Sequence, residues 1–373
     1  MKRKMPTMTK RIEWARTIAK RFAKQRILVL GDLMLDRYIY GSVNRISPEA
    51  PVPVVLVNDE RNMPGGAANV ARNISTLGGR AMLCGLVGGD DAGCDLIKVL
   101  SVYGVDTSAV MRSARMRTTV KTRIMAERQQ VVRVDWDDQP ALSARTLSDM
   151  CDRAVGRVRV CTGVIIEDYD KGLVNQTLVD AVLSEAKRRG VPVGLDPKNN
   201  IRLRFDGITV ATPNRKEAFA LARMAESPPA ADPLRDEALL QMADVLIKSW
   251  SPEFLMVTLG AQGMLLARRD GRPVHVPTRA REVFDVSGAG DTVIATTILA
   301  LASGAGYFEA AEMANCAAGV VVGKIGTAGC SAAELLEFLA SIVRDRRAKK
   351  SLVFKAASAD GRAQSALGRG GRA

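Results

Sequence analysis

Histidine is almost missing from this sequence of 373 residues, and the single copy, His275, excludes an HExxH metalloprotease helix and any metal site built from several imidazoles. It is expected on a strand surface. Aromatic residues make up only 4%, too few for a stacking platform that would hold single-stranded nucleic acid. The six cysteines, Cys84, Cys94, Cys151, Cys161, Cys316 and Cys330, never fall in a CxxC spacing, so neither a zinc site nor a disulfide framework is indicated and a reducing compartment fits. No apolar run is long enough to span a bilayer, and the first residues lack the continuous hydrophobic region of a secretory signal. Residues 1 to 26 also contain no serine, which weighs against a transit peptide. A cytoplasmic protein with no membrane partner is expected.

With 47% hydrophobic and 25% charged residues, the chain can bury a large core in one big or two smaller domains. Its net charge of +14 is unevenly placed: residues 1 to 26 carry +9 and residues 344 to 373 carry +7, which leaves the body at −2. A nucleic-acid partner would therefore rest on two tails alone. The tails read as solvated extensions, a basic one over residues 1 to 25 and a disordered, Gly/Ala/Arg-rich one over 346 to 373.

Along the chain, Ile27 to Gly31 reads as a buried parallel strand, with Asp32 and Asp36 after it. Carboxylates beyond the carboxyl end of such a strand can bind the hydroxyls of a polyol, although turn-making or surface solvation would use the same residues. Three prolines, Pro48, Pro51 and Pro53, then forbid a helix and point to an extended flap. Gly65-Gly66-Ala67-Ala68-Asn69 follows at a helix start, where backbone can approach a ligand or simply turn. Strand 83 to 88 and helix 92 to 103 come next. Thr118 to Val134 alternates in the β manner around a hairpin turn at Glu127 to Gln130. Together with the flap it would form a small separate sheet, a lid over a substrate, on which Lys121, Arg123 and Arg133 are cationic candidates for an anionic group or merely solvated strand residues.

From residue 140 onward, helices at 142 to 156 and 174 to 189 alternate with short strands at 163 to 167, 191 to 195, 208 to 211, 255 to 258 and 264 to 267. This order predicts a mostly parallel sheet with helices on both faces. Helices at 292 to 303, 308 to 323 and 331 to 344 complete the pattern. Ahead of the first of these stands Asp285-Val286-Ser287-Gly288-Ala289-Gly290-Asp291-Thr292. Two glycines around one small residue let successive N–H groups face a common point at a helix start, which suits a phosphate. Asp291 then either accepts the proton of an attacking hydroxyl or is an ordinary N-cap beside a turn.

Gly65 to Asn69, Thr212-Pro213-Asn214-Arg215-Lys216-Glu217, Val257-Thr258-Leu259-Gly260 and Asp285 to Asp291 resemble, in that order, the motifs of the ribokinase-like (PfkB) sugar kinases over roughly residues 26 to 343. Gly31 to Tyr38, Arg45 to Val54 and Pro64 to Ala71 are most similar to the heptose 7-phosphate kinases within that family. The resemblance implies a three-layer α/β/α fold over residues 26 to 345, with a small β-sheet lid from about 37 to 60 and 117 to 135.

It also implies ATP and Mg²⁺ as cofactors, a phosphorylated sugar as substrate, and transfer of a phosphoryl group to the sugar's C1 hydroxyl. Asp291 would be the base, and the amides around Gly288, Ala289 and Gly290 would stabilise the moving negative charge. For ATP the resemblance points to Asn214, Arg215, Lys216 and Glu217, with Lys198, Thr258, Gly260 and Asn315; Glu217 would hold Mg²⁺ through water. For the sugar it points to Asp32, Asp36, Gly66 and Asn69, and for the sugar's phosphate to Lys121, Arg133 and Lys171. Relatives tend to have Ser-Asp-Tyr-x-Lys-Gly where this chain has Glu167-Asp168-Tyr169-Asp170-Lys171-Gly172, so two added acids stand beside Lys171.

Some relatives bind a monovalent cation near the position of Asp285. Flap strands with open edges could pair with a copy, giving a homodimer. Many bacterial relatives are fused to an adenylyltransferase recognisable by HxGH; no histidine follows His275, so a kinase without that half is expected, its product passing to a separate phosphatase and nucleotidyltransferase. A kinase for ribose, a fructose phosphate or a nucleoside, and a nucleic-acid-binding protein on an inactive kinase scaffold, are the competing readings.

Overall fold

The computed structural model describes residues 8–344 apart from 128, 139–141, 199–202, 281–282, 325, 327 and 343. The basic tail over 346 to 373 lies outside the described residues.

Alternation along one strand shows how the layers arise. In β1 (Arg26–Gly31), Ile27 and Val29 point into one apolar core while Leu28 and Leu30 point into another. A strand whose two faces are both covered must be apolar throughout, and these four residues are fully buried. After β1 come β2 (Leu33–Ile46), β3 (Pro53–Gly66), α2 (Ala67–Thr76; α1 is described below), β4 (Arg80–Gly88), α3 (Asp91–Val102), β5 (Asp106–Ser113), β6 (Thr119–Ala126) and β7 (Gln129–Trp136). The second half runs α4 (Ala144–Val158), β8 (Gly163–Glu167), α5 (Gln176–Arg189), β9 (Val193–Asp196), β10 (Val210–Ala211), α6 (Arg215–Leu221), α7 (Glu237–Trp250), β11 (Phe254–Thr258), β12 (Met264–Ala267), β13 (Val274–Val276), α8 (Ala289–Ala302) and α9 (Tyr307–Val321). Residues 332–342 are also helical.

The large sheet has the order β13-β12-β11-β10-β9-β8-β1-β4-β5, parallel from β5 to β11 and antiparallel at β12 and β13. One core joins it to α2, α8 and α9, the other to α4, α5 and α7. This is the three-layer α/β/α arrangement, and the separate sheet β3-β2-β6-β7 is the expected lid. His275 lies on β13, half-buried, with its Nε2 2.6 Å from the Gln262 carbonyl.

Two expectations are corrected. Residues 12 to 25 are not a solvated extension: α1 (Met8–Arg21) buries Ala15, Ile18 and Ala19, and Phe22 behind it is 1% exposed in the core. Its apolar residues recur at helical spacing and so find the body, while Arg16, Lys20 and Arg21 stay exposed. The second correction is at α8, which begins at Ala289, three residues earlier than expected, because Gly288 takes the left-handed φ of 74° and serves as the N-cap. Asp291 is therefore the third residue of the helix and not its cap.

Candidate active site

Glycine lets α8 reach the sheet. A Cβ on Gly194 of β9 would stand 2.7 Å from Ile294 and Ile298, and one on Gly163 of β8 would stand 2.9 Å from Ile298. Without those carbons α8 packs closely on β8 and β9, and its start arrives over the carboxyl ends of these strands, where open α/β sheets gather their ligands. The first-turn amides have no intrahelical acceptor; that of Ala289 donates to the Val286 carbonyl at 3.2 Å, and the helix start presents its positive dipole here.

Asp291 is buried there and held from two sides. Asn69 Nδ2 donates to Oδ2 at 2.5 Å, and the Tyr169 hydroxyl donates to Oδ1 at 3.1 Å. Asn69 belongs to the first turn of α2, which runs beside α8; one turn on, Asn73 donates to Thr292 Oγ1 at 3.2 Å. Burial raises the Asp291 pKa above the ordinary value, against the two hydrogen bonds and the charges of Lys198 and Arg72. The carboxylate is thus desolvated and aimed, as a base should be. Gly66 precedes α2 at φ 57°, and a Cβ there would stand 2.6 Å from the Asp32 carbonyl, so only glycine fits.

Tyr169 had no assigned role in the sequence, and it is the residue that sequence reasoning missed. Its hydroxyl is kept protonated by burial and by the charges of Asp291, Glu167 and Asp196, so it can only donate to Asp291 as a neutral phenol. The Lys198 and Lys121 ammoniums lie 4.7 Å and 5.4 Å from its ring centroid, close enough for cation–π attraction. The signal was visible in the Glu167-Asp168-Tyr169-Asp170-Lys171-Gly172 run, which directly follows β8, but the partners of the tyrosine come from other elements. Asp32 holds this loop in place: its Oδ2 accepts the N–H of Tyr169 at 2.8 Å and of Lys171 at 3.2 Å. Burial raises the Asp32 pKa against these bonds.

The Asn-x-x-Glu motif has a plain local cause. Asn214 caps α6 by accepting from the Glu217 N–H at 2.9 Å, and Glu217 Oε2 accepts from the Asn214 N–H at 3.0 Å, a reciprocal capping box. Glu217 Oε1 meets Lys198 Nζ at 2.8 Å. Burial pulls Lys198 down, but the hydrogen bond and charge of Glu217, with Asp196 and Glu167, leave it above the ordinary lysine value. The Thr258 N–H donates to the Pro213 carbonyl at 3.0 Å, so the Thr-Pro-Asn and Val-Thr-Leu-Gly stretches meet at one corner, followed by Gly260 at φ 55°.

Arg215 does not share this corner's chemistry. Its guanidinium turns to Asp236 at 2.9 Å and to the Ser227 carbonyl at 3.0 Å, because the residue after a cap projects outward while the third one folds back. Lys216 is exposed. Asn315 is buried and donates to the Pro277 carbonyl at 2.8 Å, which commits its amide to backbone.

On the lid, register partners share a face, which puts Asp36, Lys121 and Asp135 in one row and Tyr38, Arg123 and Arg133 in the next. Asp36 Oδ1 pairs with Arg123 Nη1 at 2.6 Å. Burial lowers the Lys121 pKa, and Lys171 and Arg123 add to this against the charge of Asp36. Lys171 pairs with Asp137. Arg133 is exposed and bonds Asp135 at 2.9 Å. Lys121 therefore brings its row of the lid against Tyr169.

The model of the pfkB family carbohydrate kinases matches residues 24–334. The chain belongs to that family. Its members are phosphotransferases with a hydroxyl acceptor, and a buried carboxylate at a helix start fits that chemistry. The chain is 44% identical over 319 residues to the bifunctional protein HldE of Caulobacter vibrioides, a match that covers 85% of this chain and 64% of that protein. It thus spans somewhat less than two thirds of that relative's length. Escherichia coli phosphofructokinase-2 in complex with potassium superposes with a TM-score of 0.66, 21% identity and coverage of 85% and 98% of the two chains. Arabidopsis thaliana ribokinase complexed with ribose and ATP gives 0.63, 21%, 84% and 98%. These two likenesses establish the fold.

Proposed function

We propose that this PfkB-family chain is an ATP-dependent kinase that phosphorylates the C1 hydroxyl of D-glycero-β-D-manno-heptose 7-phosphate, giving the 1,7-bisphosphate for a lipopolysaccharide precursor. The observation that carries the reading is the Asp291 carboxylate, buried at the start of α8 and oriented by Asn69 and Tyr169. Asp291 takes the proton of the attacking hydroxyl, and the amides of the Gly288-Ala289-Gly290 turn stabilise charge on the transferred group. The 44% identity to HldE supports a heptose substrate. Lys121, with Arg123, Arg133 and Lys171 on or beside the lid face, supports a sugar that already bears a phosphate.

ATP would lie along Lys198, Thr258, Gly260 and the α6 start, reaching the helix amides with its γ-phosphate. The donor set there fits Mg²⁺: Glu217 already accepts from Asn214 and Lys198, so it would hold the ion through water, as an ion reluctant to shed its hydration allows. Bound Mg²⁺ would neutralise charge on the phosphate oxygens. A monovalent cation near Asp285 and a cytoplasmic location belong to the same reading, as does a homodimer, supported by the exposed edge strand β7 with Val132, Val134 and Trp136. Coupled ADP release over heptose 7-phosphate, ribose, fructose 6-phosphate and a nucleoside tests it. The highest kcat/KM should belong to the heptose, and preference for any of the others would overturn the assignment.

A further inference from the structure

Fully buried guanidinium groups are uncommon, and this chain has one beside the start of α8. Arg72 lies on α2, three residues after Asn69, and is 2% exposed. Taking a guanidinium out of water is unfavourable, and an apolar side chain of its length often serves a fold as well. The side chain therefore asks for a task.

Its contacts supply one. Arg72 Nη2 donates to the Ala328 carbonyl at 3.0 Å and to Asn73 Oδ1 at 3.2 Å, and the Tyr103 side chain is hydrogen-bonded to it as well. With Oδ1 engaged, the Asn73 amide turns its Nδ2 to Thr292 Oγ1, 3.2 Å away. The Thr292 hydroxyl accepts there and donates its own proton to the Gly288 carbonyl at 3.0 Å. A chain of hydrogen bonds thus runs from α2 to the cap of α8. Arginine has donors and no acceptor, so it fixes the direction of every link: Oδ1 of Asn73 must face it, Nδ2 must face Thr292, and the hydroxyl must donate onward.

The last link ends on the residue whose left-handed φ starts α8. A peptide unit is planar, so a fixed Gly288 carbonyl also fixes the plane shared with Ala289, from which the first turn and Asp291 proceed. Through Ala328 the same guanidinium ties the segment after α9 to α2. Its positive charge also favours the ionised form of Asp291.

We propose that Arg72 is a positioning residue for the phosphate turn at Gly288-Ala289-Gly290: as a pure donor it sets the direction of the hydrogen bonds through Asn73 and Thr292, and so the plane in which α8 starts. The role in catalysis rests on the reading of that turn as the place of the transferred phosphoryl group. The geometry does not.

Hydrogen–deuterium exchange of the full chain, read by mass spectrometry on peptides covering 285–292, tests the geometry with no substrate present. Arg72→Met, which keeps the length and removes every donor, should speed exchange there about threefold or more while the second half of α8 stays unchanged. An arginine that only fills space would alter α2 and α8 alike. Initial rates test the consequence: kcat of Arg72→Met should fall about tenfold or more with the KM for ATP within about twofold, because a misaimed first turn affects the transfer step. Thr292→Val cuts the same chain of bonds, so the double variant should lose no more kcat than the worse single one. Arg72→Lys, a donor that reaches less far, takes the place of a methionine variant that does not fold and should show the same changes to a smaller extent. Unchanged exchange at 285–292, acceleration spread along both helices, or kcat losses that multiply in the double variant would overturn the assignment. The exchange result needs no sugar, so a parent chain that phosphorylates nothing in the panel loses the kinase reading, while Arg72 keeps or loses its role on exchange alone.

Discussion

At the scale of single residues, the chemistry rests on how one carboxylate is dressed. Asp291 is desolvated, which makes it a stronger base, and Asn69 and Tyr169 hold its two oxygens so that it points one way. Replacing Asp291→Asn removes the proton acceptor and keeps the shape; kcat should fall by about 10²–10⁴ with ATP affinity retained in a direct binding measurement. Near-normal turnover would dismiss Asp291 as the base. Tyr169→Phe removes a hydrogen bond that lowers the Asp291 pKa, so the acidic limb of the kcat–pH profile should move to higher pH. A purely structural tyrosine would lower activity without moving that limb. Asp291 was legible in the sequence because a glycine-rich turn before an apolar helix is a local pattern. Tyr169 was not, because its role depends on a residue 122 positions away.

Elements carry these residues into place through small local devices. The capping box of α6 ties the direction of Glu217 to Asn214, and Asn214→Ala should cost about 1 kcal/mol of stability while raising the KM for ATP, as seen in denaturant titration and initial rates. An unchanged KM would mean that the box only starts the helix. At the sheet, Gly194→Ala places a methyl 2.7 Å from Ile294 and Ile298. A glycine replaced within a strand is often stabilising, but here overpacking should dominate and destabilise by about 1–3 kcal/mol. A raised melting temperature would show that α8 can lift without penalty. The helix and strand types were readable from periodicity. The start of α8 was misplaced because Gly288, in the left-handed region, supplies a cap that has no side chain to recognise.

For the whole molecule, the concentration of acids under α8 sets a pH dependence. Asp196 is pushed from 3.8 up to about 7 by burial and by the charges of Glu217 and Asp291, and Asp168 is pushed from 3.8 to about 6, mainly by burial. The folded chain therefore holds protons that the unfolded chain has released. The stability they carry is complete below about pH 4 and is lost as pH rises towards about 7. With divalent ions removed by EDTA, Asp196→Asn should gain on the parent chain in melting temperature between pH 5 and pH 8; a constant difference would show that Asp196 does not titrate in this range. Among the described residues no helix is long and apolar enough to cross a membrane. The burial of Cys84, Cys316 and Cys330, which pushes their thiols up to about 12, keeps them out of thiolate chemistry.

By itself the sequence determined the α/β class, the lid and the family, because strand alternation, helical spacing and glycine turns act over a few neighbouring residues. Only the tertiary structure decided which side chains meet: Asn69 with Asp291 across 222 residues, Arg215 turned to Asp236, Phe22 drawn into the core, and Glu167 buried among acids. Desolvation and charge depend on what surrounds a group in space, and distant strands and helices supply those surroundings only once they have packed.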